Sequence, residues 1–268
     1  MTVMTNTQKN NSILTLSLLV LTFVVVWFWL THTPPGLDGK LHAIGYSVCH
    51  QIPSHSFQIG TDPFPICSRC TGMYLGAFSG VIILLMQRQR LIIPSKWQFS
   101  FFALFIIAWV IDGGNSFLVN SLGRVPLYQP ANSLRFLTGF GMGLCIAVTI
   151  FFLFNFVVWK KPGSKASLKW SVLLQMILAG IIFLFLINWQ NEILMKIFAY
   201  ISVMTIFLLL VTLHAIIWII ILQKENSFLK WKDLSFAANL GFIFALGQII
   251  LLDLLRYTLT GSWVNIIK

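Results

Sequence analysis

Seven long apolar segments dominate this sequence and leave little chain outside them. A helix needs about 20 mostly apolar residues to cross the hydrocarbon layer of a membrane, and these segments approach or exceed that length. Only 9% of the residues are charged, whereas soluble domains carry about a quarter. We therefore predict an all-α, polytopic transmembrane helix bundle of about seven spans, built as a single integral membrane domain over 1–268. The predicted spans are 13–31, 71–87, 97–118, 134–159, 168–188, 193–222 and 235–256.

Basic residues are divided unequally between the two ends of the predicted bundle. Eleven lie on the side of the N-terminus, and seven, spread over longer loops, lie on the other side. Because short cytoplasmic loops retain an excess of Lys and Arg, we predict a cytoplasmic N-terminus in a multi-pass protein of the plasma (inner) membrane. The net charge of +11 then reflects orientation in a lipid bilayer, and no nucleic-acid partner is expected. The first side holds Lys9, Arg88, Arg90, Lys96, Lys160, Lys161, Lys165, Lys169, Lys224, Lys230 and Lys232, and the second holds Lys40, Arg69, Arg124, Arg135, Lys196, Arg256 and Lys268.

The polar loop over 32–70, which this orientation places outside, holds three of the four cysteines. Cys67 and Cys70 form a Cys-x-x-Cys pair at the predicted N-terminus of a helix, and Cys49-His50 lies upstream. Three thiols and one imidazole are a tetrahedral ligand set for zinc, and Cys-x-x-Cys is a common half-site. The positive end of the helix also favours the thiolates that metal binding requires. The sequence therefore predicts a metal site, with zinc as the cofactor, formed by Cys49, His50, Cys67 and Cys70.

The same cysteine pair also suits redox chemistry. A Cys-x-x-Cys at a helix N-terminus favours the reactive thiolate, and Arg69 between the two cysteines would favour it further. Membrane thiol oxidases place such a pair at the outer end of a helix, and disulfides form readily outside the cytoplasm. A reversible Cys67–Cys70 disulfide is therefore an alternative to the metal site. A third interpretation is an inert disulfide that ties down the loop.

The other histidines and the fourth cysteine are expected to be secondary. His42 and His55 are reserve ligands, although each alone is more typical of a solvated loop histidine. His214 lies deep in a predicted span and suits a hydrogen bond between helices. Cys145 lies inside an apolar segment and is expected to be a small core residue.

Glycines recur at every fourth position of the second predicted span, at Gly72, Gly76 and Gly80. Small residues at this spacing allow a neighbouring helix to approach closely. We expect a packed helix that holds Cys67 and Cys70 on a rigid support.

Ionisable residues within the predicted spans form a second group of candidates. Asp112 lies in the outer half of its span, and Asn132 and Arg135 begin the next span on the same side. An uncompensated charge in hydrocarbon is costly, so each such group is expected to have a partner. We predict an ion pair between Asp112 and Arg135, in a polar cavity beneath the cysteine loop. If the protein is an enzyme, Asp112, Asn132 and Arg135 are the candidate catalytic residues.

Several of these residues together resemble the signature of a family of prokaryotic predicted membrane proteins of unknown function. The resemblance covers residues 40–145 and implies that the four metal-ligand candidates and the three polar candidates belong to one constellation. It divides the chain into an outer loop (32–70), a family-like helical core (71–145) and additional helices (146–268). One departure is His55, which stands where the family has Arg. The matching residues are Cys49-His50-Gln51-x-Pro53, Ser56-Phe57, Cys67-x-Arg69-Cys70-x-Gly72-x-Tyr74-x-Gly76, Asp112-Gly113 and Asn132-x-x-Arg135-x-x-Thr138-Gly139.

These patterns leave four classes of function open. The sequence contains no P-loop, no dinucleotide-binding glycine pattern and no Gly-x-Ser-x-Gly elbow. The first hypothesis is a metal-containing protein that acts on a membrane-bound or small-molecule substrate. The alternatives are a membrane thiol-disulfide oxidoreductase, a transporter with a polar centre at Asp112, Arg135 and Asp253, and a non-catalytic subunit of a membrane complex.

Overall fold

The structure, a computed structural model, describes residues 6–87, 91–123, 127–163 and 165–263. Within them the chain is built from eight α-helices joined by short loops. The helices are α1 (Asn6–His32), α2 (Gly36–Val48), α3 (Ser68–Met86), α4 (Lys96–Leu122), α5 (Asn132–Val158), α6 (Trp170–Asn188), α7 (Glu192–Ile221) and α8 (Ser235–Thr260). The short strands are β1 (Gln58–Ile59), β2 (Asp62–Pro63), β3 (Leu91–Ile93) and β4 (Lys165–Ser167).

The helix lengths confirm a polytopic transmembrane bundle. Among the described residues, six helices, α3 to α8, are long and apolar enough to cross a membrane. Helices α1 and α2 pass the same test only together, and they are bent by 103° relative to one another. The number of spans is therefore six, or seven if the bent pair is one span, in agreement with the predicted seven.

The first half of the predicted outer loop is helical, which the sequence analysis did not anticipate. Pro34 and Pro35 follow α1, and Gly36 has a left-handed φ of 76°, so the chain turns sharply before α2 begins. α2 buries one face, including Leu41 and Tyr46. At 13 residues it is too short to resemble a span, which is why its apolar positions were assigned to a loop.

The predicted close approach at the glycines of α3 is confirmed, and the partner is α5. A Cβ atom added at Gly72 or Gly76 would overlap backbone atoms of α5. Gly139 on α5 is the reciprocal case, because its added Cβ would overlap the carbonyl oxygen of Arg69. The two backbones are therefore in contact beside the cysteine pair, as small residues in membrane helices allow.

The loops separate into two ends. The cysteine loop, the α4–α5 and α6–α7 connections and the C-terminal end of α8 lie at one end, and the paired strands β3 and β4 lie at the other. The orientation of these ends in the membrane stays a prediction from the basic residues. Of those residues, Arg88, Arg90, Arg124 and Lys268 lie outside the described residues, as does the side chain of Lys9.

Candidate metal centre and polar cluster

Three cysteine thiols converge where α2 ends and α3 begins. Cys49 is the C-terminal cap of α2, Cys67 is the N-terminal cap of α3, and Cys70 lies in the first turn of α3. Their Sγ atoms all lie within 4.8 Å of one another, and the three thiols are free. Cys49 and Cys67 are buried. The fold thus brings together the three thiols that the sequence analysis proposed as ligands.

Backbone amides hold the Cys49 sulfur in position. The N–H of Cys67 donates to Cys49 Sγ at 3.1 Å, and the N–H of Gln51 donates to it at 3.5 Å. Gln51 has a left-handed φ of 53°, which reverses the chain direction there. Its side-chain amide donates to the carbonyls of His42 at 3.0 Å and Pro65 at 2.7 Å. The loop is therefore fixed on both sides of the thiols.

The thiol cluster favours one thiolate, at Cys67. Hydrogen bonds from the Cys49 thiol, the Cys70 thiol and the His50 ring lower the pKa of Cys67 well below its ordinary value, although burial opposes this. The pKa of Cys49 is raised to about 12, chiefly because its thiol donates to Cys67. The protons of the neighbouring thiols now stabilise the buried Cys67 thiolate. A metal cation could take the place of these protons, because binding of a metal releases the protons of its thiol ligands.

His50, the predicted fourth ligand, contacts the cluster from one side. Its ring hydrogen-bonds Cys67, but among the described residues only the three cysteines have ligand atoms that are all within 4.8 Å of one another. His50 Nδ1 accepts a hydrogen bond from the N–H of Ile52 at 3.0 Å. Because Nδ1 accepts this bond, the proton of the neutral ring lies on Nε2, so His50 could bind a metal ion through Nε2 only if Nδ1 gave up the bond from Ile52 and took the proton.

Arg256, from the far end of the chain, anchors the Cys49-His50 segment. Its guanidinium donates to the carbonyls of Tyr46 at 2.7 Å, Cys49 at 2.5 Å and His50 at 3.1 Å. The same group lies over the Tyr46 ring, 3.9 Å from the centroid. Arg256 of α8 therefore places a positive charge at the C-terminal end of α2, where the helix dipole favours a cation.

The remaining candidates from the sequence lie away from the thiols. His42 Nε2 lies 2.8 Å from the carbonyl oxygen of Trp263, and His214 Nδ1 lies 2.9 Å from the carbonyl oxygen of Leu210 in its own helix. Among the described residues, neither of the reserve ligands, His42 and His55, joins the group of converging ligand atoms, and the expected bond from His214 to another helix is absent. Cys145 is buried in the apolar core, as predicted.

A second cluster surrounds the buried carboxylate of Asp112. Arg69 Nε donates to Asp112 Oδ2 at 2.9 Å, and Arg69 Nη2 donates to the Asp112 carbonyl at 3.0 Å. The Tyr128 hydroxyl donates to Oδ1 at 3.0 Å, and the Thr138 hydroxyl donates to Oδ2 at 3.4 Å. Asp112 is wholly buried, and both of its oxygens have partners. It is therefore suited to positioning Arg69 rather than to acting as a free base.

The predicted ion pair between Asp112 and Arg135 is wrong. The ion pair in the described part of the chain joins Asp112 to Arg69 instead. Arg135 donates from Nε to the Ser116 hydroxyl at 3.4 Å and from Nη1 to Asn132 Oδ1 at 2.8 Å. Arg69 lies in the first turn of α3, and its guanidinium reaches Asp112 on α4 from both Nε and Nη2.

Histidine and asparagine side chains connect the two clusters. The His50 and His55 rings meet edge to face, with centroids 5.4 Å apart, and Asn120 Nδ2 lies 3.4 Å from His55 Nε2. Burial, then the charge of Arg135, lowers the pKa of His55 to about 4, so this ring is neutral near pH 7. The Asn132 amide donates to the carbonyl of Ser56 at 3.2 Å, which ties the start of α5 to the cysteine loop.

The polar cluster has a net positive charge. Among the described residues it contains two guanidinium groups, of Arg69 and Arg135, which both donate to the Ser116 hydroxyl, and one carboxylate, of Asp112, which pairs with Arg69 alone. The N-termini of α3 and α5 begin at the same place and add their positive dipole ends. Such a site is chemically suited to an anion, because Arg and helix N-termini both recognise phosphate and carboxylate groups.

Sequence reasoning missed the roles of three residues, namely Arg69 and Tyr128 as partners of Asp112 and Arg256 as the anchor of the cysteine loop. Arg69 carried a signal, because it lies between two predicted ligands and one turn from a glycine contact. Tyr128, in the loop between α4 and α5, carried no comparable signal.

Comparison with known proteins places these residues in a family. Residues 49–149 match a family model described as "Predicted membrane protein (DUF2085)". An uncharacterized protein of Methanocaldococcus jannaschii is 31% identical over 123 residues, which cover 45% of this chain and 72% of that protein. An uncharacterized protein of Methanothermobacter thermautotrophicus is 34% identical over 105 residues, 38% of this chain and 82% of that protein. No solved structure matches the chain. The chain therefore belongs to the DUF2085 family of predicted membrane proteins.

Proposed function

We propose that this protein holds a zinc ion at the extracytoplasmic side of the plasma membrane and binds an anionic, membrane-bound substrate beside it. The observation that carries the proposal is the convergence of three free thiols within 4.8 Å of one another. Arg69 lies between Cys67 and Cys70 in the chain and reaches the buried, positive polar cluster. The segment 67–70 would therefore contribute both to the proposed metal site and to the proposed substrate site.

Zinc is the metal that this ligand set fits best. Soft thiolates select zinc, copper(I) or iron–sulfur clusters, and an added imidazole favours zinc in a tetrahedral site. Cys49, Cys67, Cys70 and His50 would fill the four positions, so the ion is structural and leaves no position for water. Its role is to fix the first turn of α3, and with it the position of Arg69.

The polar residues divide into two roles. Asp112 positions Arg69, since both of its oxygens are already bonded. Arg135 and Asn132 would contact the anionic group of the substrate, because Arg135 has hydrogen bonds to neutral groups only among the described residues. Asn132 is half-buried, whereas Arg135 is buried. Any chemistry on the substrate would then occur at Arg135 and Asn132.

Metal analysis of the purified chain tests the first half of the proposal. We expect one zinc ion per chain when the protein is purified in a non-ionic detergent without chelator. Cys49→Ser, Cys67→Ser and Cys70→Ser should each lose most of the metal, because three-ligand sites hold zinc far less tightly. Cys145→Ser is the matched control, since Cys145 is a buried thiol whose Sγ donates to the carbonyls of Phe102 and Gly141, and it should keep its zinc.

Two results would contradict the metal site. One is the absence of bound metal from the wild-type chain. The other is a Cys67–Cys70 disulfide in protein whose thiols were blocked in intact cells, which would support the redox alternative. Of the redox pair, Cys70 is half-buried, but Cys67, the thiol with the lowered pKa, is buried, which argues against that alternative because exchange with another disulfide requires an accessible thiolate.

Lipid binding tests the second half. Dioctanoyl phosphatidylglycerol should raise the midpoint of thermal unfolding in detergent. Dioctanoyl phosphatidylcholine, which has no net charge, should raise this midpoint less because it binds the positive cluster less tightly. Arg135→Gln removes a charge-assisted contact worth about 1.5–3 kcal/mol, so the affinity for phosphatidylglycerol should fall about tenfold or more.

Lys196→Gln is the control for that measurement. Lys196 is an exposed basic residue at the same end of the bundle, so its loss changes the net charge equally without touching the cluster. Equal affinity for the two lipids, or the same loss of affinity in both variants, would show that the site does not recognise an anionic substrate.

A further inference from the structure

A separate cavity lies between α1 and α8, and none of its lining residues belongs to the polar cluster. Its volume is about 250 Å³. That is below the roughly 300–1,000 Å³ of pockets for drug-sized molecules, so it suits a small ligand. The lining is mostly aromatic, with one carboxylate. The lining residues that matter below are Phe28, Trp29, Asp253, Tyr257 and Trp263.

Asp253 is the unusual member of this lining. It is 2% exposed, and neither carboxylate oxygen has a hydrogen-bond partner within the described part of the chain. A buried acceptor without a partner is costly, and an ionised one more so. Native proteins keep such a group where a ligand or an ion completes it.

Neighbouring basic side chains are committed elsewhere. Arg256, one turn after Asp253 on α8, donates to the carbonyls at the end of α2. Lys40 lies 5.5 Å from the centroid of the Trp29 ring, but its Nζ donates to Leu30 and Thr33. The described residues therefore offer Asp253 no ion pair.

The indole N–H of Trp29 is the second unpartnered polar group of this cavity. It is buried and has no acceptor among the described residues, although a buried indole N–H usually finds one. One cavity thus combines a buried acceptor, a buried donor and several aromatic rings. Trp263 and Tyr257 lie against each other with centroids 5.5 Å apart, so the rings form a continuous wall.

We propose that this cavity binds an organic ammonium group, with Asp253 as its counter-ion and Trp29, Tyr257 and Trp263 around it. Aromatic rings attract cations through the negative face of the ring, and aromatic cages recognise quaternary ammonium in this way. A carboxylate adds a full charge. The Trp29 N–H donates to an oxygen on the same molecule, which choline and zwitterionic lipid headgroups both carry.

Binding of radiolabelled choline to the full chain in a non-ionic detergent tests the proposal. We expect saturable binding of one choline per chain. Asp253→Asn removes the counter-ion and should weaken binding about tenfold or more, whereas Asp62→Asn, at an exposed aspartate in the outer loop, should leave it unchanged.

Tyr257→Leu guards against a folding artefact. Tyr257 is 40% exposed, so its loss should leave the fold intact. One exposed cation–π contact is worth about 0.5–1 kcal/mol, so choline binding should weaken about threefold. Displacement of choline by dioctanoyl phosphatidylcholine would assign the site to a lipid headgroup, and displacement by tetramethylammonium alone to a free small cation.

Two results would overturn the proposal. The first is the absence of saturable choline binding to the wild-type chain, and the second is equal binding by the wild-type and Asp253→Asn chains.

Discussion

Replacing Asp112 with alanine is expected to destabilise the protein strongly, by about 3–5 kcal/mol, the usual effect of removing one partner from a buried ion pair. The cause is Arg69, whose side chain is 16% exposed and would lose its carboxylate in a largely apolar environment. The double variant Asp112→Ala with Arg69→Met should recover most of this loss, because it leaves no unpaired charge. Denaturant unfolding in detergent, followed by tryptophan fluorescence, measures each value.

A second cycle with Arg135 is the matched control. Arg135 carries the same charge as Arg69 and also donates to the Ser116 hydroxyl, but it bonds Asn132 rather than Asp112. Asp112→Ala and Arg135→Met should therefore be close to additive. A larger coupling energy with Arg135 than with Arg69 would restore the ion pair predicted from the sequence and contradict the structure.

The Cys67–Cys70 half of the thiol cluster could be predicted because its information is local, whereas Cys49 was proposed from its residue type alone. A Cys-x-x-Cys pair fixes two sulfurs within one turn, whatever the rest of the fold does. The position of Cys67 and Cys70 at the start of α3 followed from the boundary between polar and apolar sequence, and the structure places them there. Ligand type and spacing therefore predicted the position of these two thiols correctly.

The partner of Asp112 could not be predicted, because it depends on the packing of three helices. Two arginines on the same end of the bundle were compatible with the rule that a membrane-embedded charge needs a partner. The choice is made by the backbone contact between α3 and α5 at Gly72 and Gly139, which brings Arg69 beside α4. Periodicity shows that a glycine face exists but not which helix it meets.

The contribution of α8 was hidden for a related reason. Arg256 contacts the Cys49 carbonyl across 207 positions of the chain, and no sequence pattern reports a contact at that distance. As a consequence, a residue outside the matched family region, 49–149, anchors the loop that carries the candidate metal ligands. The additional helices are thus part of the site as well as of the bundle.

Removing zinc with a strong chelator is expected to lower the midpoint of thermal unfolding by about 10 °C. The binding free energy of structural zinc in zinc-finger peptides is about 10–16 kcal/mol. A loss of about a third of that from the free energy of unfolding would lower the midpoint by this amount. Cys145→Ser should respond as the wild-type chain does. Cys49→Ser should begin at the lower midpoint and be insensitive to the chelator, and a chelator effect of equal size in that variant would exclude these thiols as the zinc site.

The chelated protein also allows the metal to be linked to the polar cluster. Arg69 lies between Cys67 and Cys70, so a tetrahedral ion that fixes both sulfurs also fixes the backbone from which the Arg69 side chain reaches Asp112. The coupling energy between Arg69 and Asp112 is therefore expected to be smaller in the zinc-free chain than in the zinc-bound one. An unchanged coupling energy would mean that helix packing at Gly139 alone positions Arg69, and that the metal stabilises the loop without organising the substrate site.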